Sequence, residues 1–201
     1  MTELNTEEAL RAVYGEVSPR AAIKVITTLD KHCQKIIAYS PFYVIATSDG
    51  QALDISPKGD APGSVKVADE RTLLMPDWPG NRRIDGMLNI IQHPKVAVLF
   101  VIPNMRETLR VNGTATIHDD PDLLDQFAVN GKRPVTVIKL AVDDIFSHCP
   151  KAFIRANLWK PETWPDRSEL PTLGEMIRDH AKLAETPDYP QEDDGWKPEL
   201  Y

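Results

Sequence analysis

The sequence predicts a mainly β fold with short helices, in which an antiparallel sheet or barrel forms the core. The segment "FYVIATSDGQALDIS" has two extended apolar runs around Asp49-Gly50, a strong signal for a β-hairpin. Further extended runs, joined mostly by turn residues, lie at 64–67, 71–75, 95–102, 107–117, 135–142 and 145–148. Six or more such strands predict an antiparallel sheet or barrel.

The helices are predicted to be short connectors. Thr6, Ser18 followed by Pro19, and Asp30 are suitable N-caps for segments that run to about residues 15, 29 and 38. Apolar residues recur at helical spacing in "RRIDGMLNIIQHP", and Asp120-Pro121 begins another short helix. A last amphipathic helix is expected at about 173–183.

These patterns divide the chain into three segments. We expect a helical N-terminal segment at 1–39, the β domain at 40–160, and a C-terminal extension at 161–201 that is rich in proline and acidic residues.

The composition limits the function. The net charge of −7 over 201 residues argues against general binding to nucleic acids or to anionic membranes, both of which require a cationic surface. No apolar run approaches the roughly 20 residues of a membrane span, and the acidic N-terminus is unlike a signal peptide. We therefore expect a cytoplasmic protein whose two cysteines, Cys33 and Cys149, are free thiols.

Several kinds of catalytic or binding site find no support in the sequence. The five histidines lack the spacing of metal ligands, and neither cysteine belongs to a CxxC pair. The chain also lacks a GxSxG elbow, a GxxxxGK phosphate loop and a GxGxxG fingerprint. We therefore predict no metal site, and a hydrolase or nucleotidase is not indicated.

Cations and small polar residues near strand ends are the remaining candidates. They occur in "SPKGD", "DERTLLMPD", "GNRR" and "RETLRVNG". Guanidinium groups, an ammonium, a hydroxyl and free amides at a helix start would suit a phosphate monoester. On composition alone, however, pairing of these cations with the many nearby acidic residues is the simpler interpretation.

The order of three segments adds a more specific signal. "FYVIATSDGQALDISPKG", "RTLLMPDWPGNRRIDGMLNIIQHPKVAVLFVIP" and "ETLRVNGTATI" together resemble the pyridoxamine 5′-phosphate oxidase-related family of split β-barrels that bind flavin mononucleotide (FMN). The resemblance covers roughly 38–165 and is to a bacterial subfamily distinct from the oxidases that act on pyridoxamine phosphate. It implies a six-stranded antiparallel FMN-binding split barrel and a homodimer with FMN at the subunit interface.

The resemblance also implies site residues. Ser56 and Lys58 match the hydroxyl and cation that hold the FMN phosphate, and Asn81, Arg82 and Arg83 match the basic opening of the following helix. Further candidates for cofactor binding are Arg71, Thr108, Arg110, Lys151 and Trp159. For Arg110 an exposed position on the barrel, and for Trp159 simple packing of the extension, are equally good interpretations. No catalytic residue is indicated.

The implied activity is that of an FMN-dependent oxidoreductase, either flavin reductase-like or a small-molecule oxidase or reductase, with NAD(P)H as a candidate donor. Oxidation of vitamin B6 is not expected, because "LDISPKG" replaces the strand that those oxidases carry and their C-terminal substrate element is not found. The alternatives are a non-enzymatic FMN-binding protein or redox sensor, and a split barrel that uses a deazaflavin or haem.

Overall fold

Eight strands form one antiparallel sheet in the part of the chain described by the computed structural model, residues 2–187 and 201. The strands are β1 (Val25–Ile26), β2 (Phe42–Ser48), β3 (Leu53–Gly59), β4 (Lys66–Asp69), β5 (Thr72–Asp77), β6 (Lys95–Val101), β7 (Thr108–His118) and β8 (Thr136–His148). Their order is β3-β2-β6-β7-β8-β5-β4, and β1 pairs with β8.

Short helices lie between and after the strands. They are α1 (Glu7–Tyr14), α2 (Pro19–Ala22), α3 (Lys31–Tyr39), α4 (Asp85–Gln92), α5 (Pro121–Asp125), α6 (Lys151–Ala156) and α7 (Leu173–Ala181). The predicted class, mainly β with short helices, is confirmed. The sheet has two strands more than the six of the implied barrel. The division into three segments stays a prediction, and residues 188–200 of the predicted extension lie outside the described residues.

The predicted helix starts at Thr6, Ser18 and Asp30 are present, and each of these side chains accepts a hydrogen bond from a main-chain N–H in the first turn. The helix expected from Ser18 to about residue 29 is much shorter than predicted. It ends at Ala22, because the next residues leave the helix to form β1 against β8. Helix α6, which was not predicted from the sequence, follows directly after β8.

The sheet must curl because of a short connection between its two edges. Strands β3 and β4 are at opposite ends of the strand order, yet they are joined by residues 60–65 alone. Seven Cα–Cα steps reach at most about 25 Å, whereas six strand spacings in a flat sheet would require about 29 Å. The two edges therefore approach each other without pairing, and we call the gap between β3 and β5–β4 the seam.

The core lies inside this curled sheet and is closed by helix α3. Alternate residues of the strands are buried, as on β2, where Tyr43, Ile45 and Thr47 point inward. Cys33 and Ile37 of α3 join the same cluster. In the described part of the chain, no helix has the length and apolar character needed to cross a membrane.

A β-bulge in the long β7–β8 pair requires a glycine. The register shifts after Asn112 pairs with Asp144, so that Gly113 pairs with Val142 and Asp143 is the extra residue. A Cβ at position 113 would lie 2.2 Å from the carbonyl oxygen of Ala141 and 2.8 Å from Cδ1 of Leu140. The main chains of the two strands can approach this closely only without a side chain at this position.

Gly113→Ala should therefore destabilise the protein by about 2–3 kcal/mol, since the added methyl meets main-chain atoms that cannot rotate away. The free energy of unfolding in urea measures the change. Gly59→Ala is the matched control, because a Cβ there makes only ordinary contacts with Pro41 and Phe42. Equal stability of the two variants would contradict this account of the bulge.

The two cysteines differ in burial, and we therefore expect them to differ in reactivity. Both are free thiols, Cys33 buried and Cys149 exposed. Burial, followed by the hydrogen bond and charge of Asp30, raises the pKa of Cys33 to about 12. Because the thiolate is the nucleophile, iodoacetamide at pH 8 should modify one thiol in the native protein and two after denaturation.

Mass spectrometry of the alkylated chain would locate the modification. We expect it at Cys149, and Cys149→Ser should leave a native protein that reacts slowly. Rapid modification of Cys33 in the native protein would show that α3 opens away from the sheet.

Candidate functional site

A cavity of about 530 Å³ lies at the seam of the sheet. One wall comes from β2 and β3, and the opposite wall comes from the end of β5 and the loop 78–84 that follows it. The first turn of α4 and two residues near the start of β8 complete the lining. The cavity therefore lies where main-chain pairing between strands is interrupted.

Strand β3 supplies three polar side chains to this cavity. Asp54, Ser56 and Lys58 alternate with exposed residues and so share the inner face of the strand. The Ser56 hydroxyl donates a hydrogen bond to Oδ2 of Asp54 at 2.9 Å. Lys58 forms an ion pair across the seam with Asp77 at the end of β5. Both members of this pair are mostly buried.

The loop 78–84 folds over the cavity with an irregular backbone. Asn81 holds the turn through its side-chain oxygen, which accepts the main-chain N–H of Arg83 at 3.0 Å. Arg82 and Ile84 have φ angles of 61° and 51°, in the left-handed region that is unfavourable for a β-branched residue. Arg82 and Arg83 both line the cavity.

Helix α4 begins at this cavity without a side-chain cap. Ile84 occupies the N-cap position, and its apolar side chain cannot accept a hydrogen bond from the first-turn amides. Uncapped amides and the helix dipole together favour an anion at this end. The helix lies close to the sheet because position 86 is glycine: a Cβ there would come within 3.2 Å of Oδ2 of Asp54.

The charges of the cavity are balanced. Three cations, Lys58, Arg82 and Arg83, share it with three carboxylates, those of Asp54, Asp77 and Asp85. Arg83 Nε contacts Asp85 Oδ2 at 2.8 Å, and the pair is largely exposed. Arg82 has no ion-pair partner within the described residues. An anion entering the cavity would therefore find one arginine and the helix amides available.

Five of the ten predicted cofactor-binding residues line this cavity: Ser56, Lys58, Asn81, Arg82 and Arg83. The other five lie elsewhere. Arg71 is exposed in the turn between β4 and β5, where its main-chain N–H donates to Asp69. Thr108 is buried at the start of β7, opposite His148 of β8.

Arg110 lies on the outer face of the sheet, in a cluster around Phe146. Its guanidinium carbon is 5.3 Å from the centre of the Phe146 ring, and Nη2 is 3.8 Å from Oδ1 of Asp144. Burial, and then the charges of Arg110 and Lys24, lower the pKa of His148, whose ring packs edge-on against Phe146. His148 is therefore neutral at pH 7 and adds no third positive charge here.

Lys151 and Trp159, in the segment that follows β8, are also outside the cavity. Lys151 is exposed at the start of α6. The indole of Trp159 donates a hydrogen bond of 2.7 Å to the main-chain oxygen of Met105 and packs 5.8 Å from the Phe153 ring. These contacts join the segment after β8 to the β6–β7 loop.

Among the cavity residues that were not predicted from the sequence, Asp54, Asp77 and Trp78 make side-chain contacts at the seam. Asp54 could have been predicted from the sequence, since the two-residue period of a strand places it on the same face as Ser56 and Lys58. Trp78 lies two residues before the predicted "GNRR" segment, and its indole donates to Oδ2 of Asp60 at 2.9 Å. Asp77 had no local signal, because its partner Lys58 lies on a strand that is not paired with β5.

A comparison with protein-family models identifies the relatives of this chain. Residues 29–149 match the model described as pyridoxamine 5′-phosphate oxidase. The chain belongs to this family. The matched residues include β2 to β8 and every residue of the cavity, whereas Lys151 and Trp159 lie outside them. A comparison with curated protein sequences gives no match.

Solved structures of similar backbone come from several bacteria. HupZ of Group A Streptococcus is 22% identical, with a TM-score of 0.47 over 59% of this chain and 92% of that one. General Stress Protein 26 of Bacillus anthracis is 20% identical, with a TM-score of 0.45 over 56% and 88%. An FMN-binding protein of Syntrophomonas wolfei is 10% identical, with a TM-score of 0.44 over 58% and 83%.

Proposed function

We propose that this protein is an FMN-dependent oxidoreductase, flavin reductase-like or a small-molecule oxidase or reductase, and that the seam cavity holds the FMN phosphate. One observation carries the proposal. Two sequence segments that resemble the phosphate-binding motifs of FMN-binding split barrels, Ser56 to Lys58 and Asn81 to Arg83, meet at one cavity in a member of that family.

The donors in the cavity fit a phosphate monoester. Two guanidinium groups, an ammonium, a hydroxyl and uncapped helix amides all donate hydrogen bonds, and charge-assisted bonds of this kind are the strong ones. The volume of about 530 Å³ is within the usual range of small-molecule sites. The apolar side chains of Ile45, Met87 and Ile138 line the same space and would exclude water from a bound ligand.

Binding must also overcome interactions that are already present. Lys58 is paired with Asp77, and Arg83 with Asp85, so a phosphate competes with a carboxylate for each of these two cations. Arg82 and the amides of α4 face no such competition among the described residues. We therefore assign the first contact of the phosphate to Arg82, followed by exchange of the other two cations.

Flavin, when bound, supplies the electron or hydride transfer of the reaction. The residues of this chain bind and orient it: cations fix the phosphate, and the apolar wall and Trp78 shape the adjoining space. Asp54 is held by Ser56 at the same wall. NAD(P)H is the donor that we propose for a reductase of this kind. Pyridoxamine phosphate is not proposed as the substrate.

A non-enzymatic FMN-binding protein or redox sensor is the second candidate, and one observation favours it. No histidine, cysteine or tyrosine is among the described residues that line the cavity, so the usual proton-transfer groups, apart from carboxylates and Lys58, are lacking. Oxidation of NAD(P)H by the FMN-loaded protein, followed at 340 nm, separates the two candidates. Turnover supports the enzyme, and its absence supports the binding protein.

We also propose a homodimer, on the evidence of an exposed apolar stripe. Ile84, Leu88 and Ile91 at helical spacing on α4 are 57%, 45% and 73% exposed. The helix buries its other face, with Ile90, against the sheet. A second cavity, between this helix and the end of β7, adjoins the stripe at Ile91. An apolar surface of this kind beside a binding site is typical of an interface.

Light scattering after gel filtration should give twice the chain mass of 22.5 kDa at micromolar concentration. Leu88→Lys should shift the protein toward the monomer, because it places a charge within the proposed interface. Leu10→Lys, at a similarly exposed position on α1, is the control and should remain a dimer. A monomeric wild-type protein would refute the homodimer.

The double substitution Arg82→Ala with Arg83→Ala should weaken FMN binding on the order of 100-fold, since it removes two charge-assisted contacts. Quenching of flavin fluorescence on titration with protein measures the dissociation constant. The melting temperature should change little, because both side chains lie on an exposed loop.

The control is Arg71→Ala with Arg155→Ala, which removes the same charge from exposed positions outside the cavity. Its FMN affinity should equal that of the wild type. If both double variants lose affinity to the same extent, the effect comes from net charge, and the cavity is not the phosphate site.

A further inference from the structure

Tyr201 packs against the outer side of the cavity wall. Its ring meets the Trp78 ring edge-on, with 4.8 Å between the ring centres. Its hydroxyl donates a hydrogen bond to Oδ1 of Asp60 at 2.5 Å. Its main-chain oxygen accepts a hydrogen bond from the ammonium of Lys132, in the loop after α5. Tyr201 is thus held by ring, hydroxyl and main chain at once.

Asp60 connects the tyrosine to the tryptophan. One carboxylate oxygen accepts from the Tyr201 hydroxyl, and the other accepts from the Trp78 indole N–H at 2.9 Å. The main-chain N–H of Asp60 is itself fixed to the oxygen of Pro41 at 3.0 Å. Because Asp60 lies in the connection across the seam, these bonds fix the Trp78 ring relative to β3 as well as to its own loop.

The position of Tyr201 relative to the cavity indicates its role. Trp78 lines the cavity, whereas Tyr201 and Asp60 do not. Tyr201 therefore contacts a wall residue without itself entering the space for a ligand. A residue placed in this way supports the wall and does not block the site.

We propose that Tyr201 is a positioning residue for the seam cavity, which acts by holding the Trp78 ring through Asp60. Trp78 is the first residue of the loop that continues to Asn81, Arg82 and Arg83, so its orientation sets where that loop leaves β5. The effect on FMN rests on the function proposed above. The docking of Tyr201 on Trp78 and Asp60 does not.

Coupling between the two sites must be reciprocal. If docked Tyr201 favours the ligand-binding arrangement of the loop, then bound FMN favours docking of Tyr201 by the same factor. At neutral pH the hydroxyl is a competent donor, because its hydrogen bond to the Asp60 carboxylate raises the pKa of Tyr201. The hydrogen bond from Tyr201 to Asp60 is therefore present at neutral pH.

The test uses the full chain and two readouts. The first is the rate at which the Trp78 indole N–H exchanges with solvent, followed by NMR with the resonance assigned through Trp78→Phe. The second is the dissociation constant for FMN. Tyr201→Ala should accelerate indole exchange about tenfold or more and weaken FMN binding about fivefold to tenfold, at the lower end of typical coupling.

Tyr201→Phe keeps the ring contact and removes only the hydroxyl, so both effects should be smaller, about threefold, as expected for loss of one hydrogen bond. Tyr14→Ala is the matched control, since Tyr14 is 80% exposed on α1. It should change neither readout.

The outcomes separate the two proposals. Unchanged indole exchange in Tyr201→Ala overturns the docking of Tyr201. Faster exchange with unchanged FMN affinity overturns its positioning role. If wild-type protein does not bind FMN while indole exchange still depends on Tyr201, the cofactor assignment and the coupling are refuted and the docking contact is supported.

Discussion

The ion pair between Lys58 and Asp77 is the interaction around which the rest of the site is arranged. It connects β3 to β5 across a gap where the two strands make no main-chain hydrogen bonds. The connection of residues 60–65 brings the edges of the sheet together, and this pair fixes their relative position at the cavity. At the seam, a contact between side chains therefore holds the two strands together, as main-chain hydrogen bonds do elsewhere in the sheet.

This arrangement shows how the proposed phosphate site would be compatible with an acidic protein. The cations are not in excess in the cavity, but two of the three are held by carboxylates that a stronger anion can replace. Such a site discriminates by charge. A dianionic phosphate can compete with Asp77 and Asp85, whereas a singly charged small carboxylate gains less from the same exchange.

Much of the fold could be predicted from the sequence, because hairpin turns, strand alternation and helix caps are local signals. Asp30 at the start of α3 and Asp49-Gly50 between β2 and β3 are examples. The C-terminal end of α2 could not be predicted, since the strand that follows it, β1, exists only through its pairing with β8, about 120 positions away in the sequence.

The same distinction applies to the site. The order of the sequence motifs was enough to predict that one site contains Ser56, Lys58 and the "GNRR" segment, which line one cavity in the structure. Arg71 lies outside the cavity, because the β4–β5 turn directs it to solvent, and its contact with a cofactor stays a prediction. Trp159 finds its partner in the main chain of Met105, 54 positions away, and no local pattern reports such a contact.

The unpaired seam has a consequence for how this fold can change its chemistry. Since the cavity is lined by side chains where no β-ladder runs, substitutions at positions 54 and 82 would alter the ligand preference of the proposed site without removing the Lys58–Asp77 pair or a hydrogen bond between strands. Ligand preference and fold stability thus depend on largely separate sets of atoms. If the proposed site binds an anion, this fold is a favourable starting point for directed evolution, because such substitutions would change the anion that is bound while the sheet continues to fold.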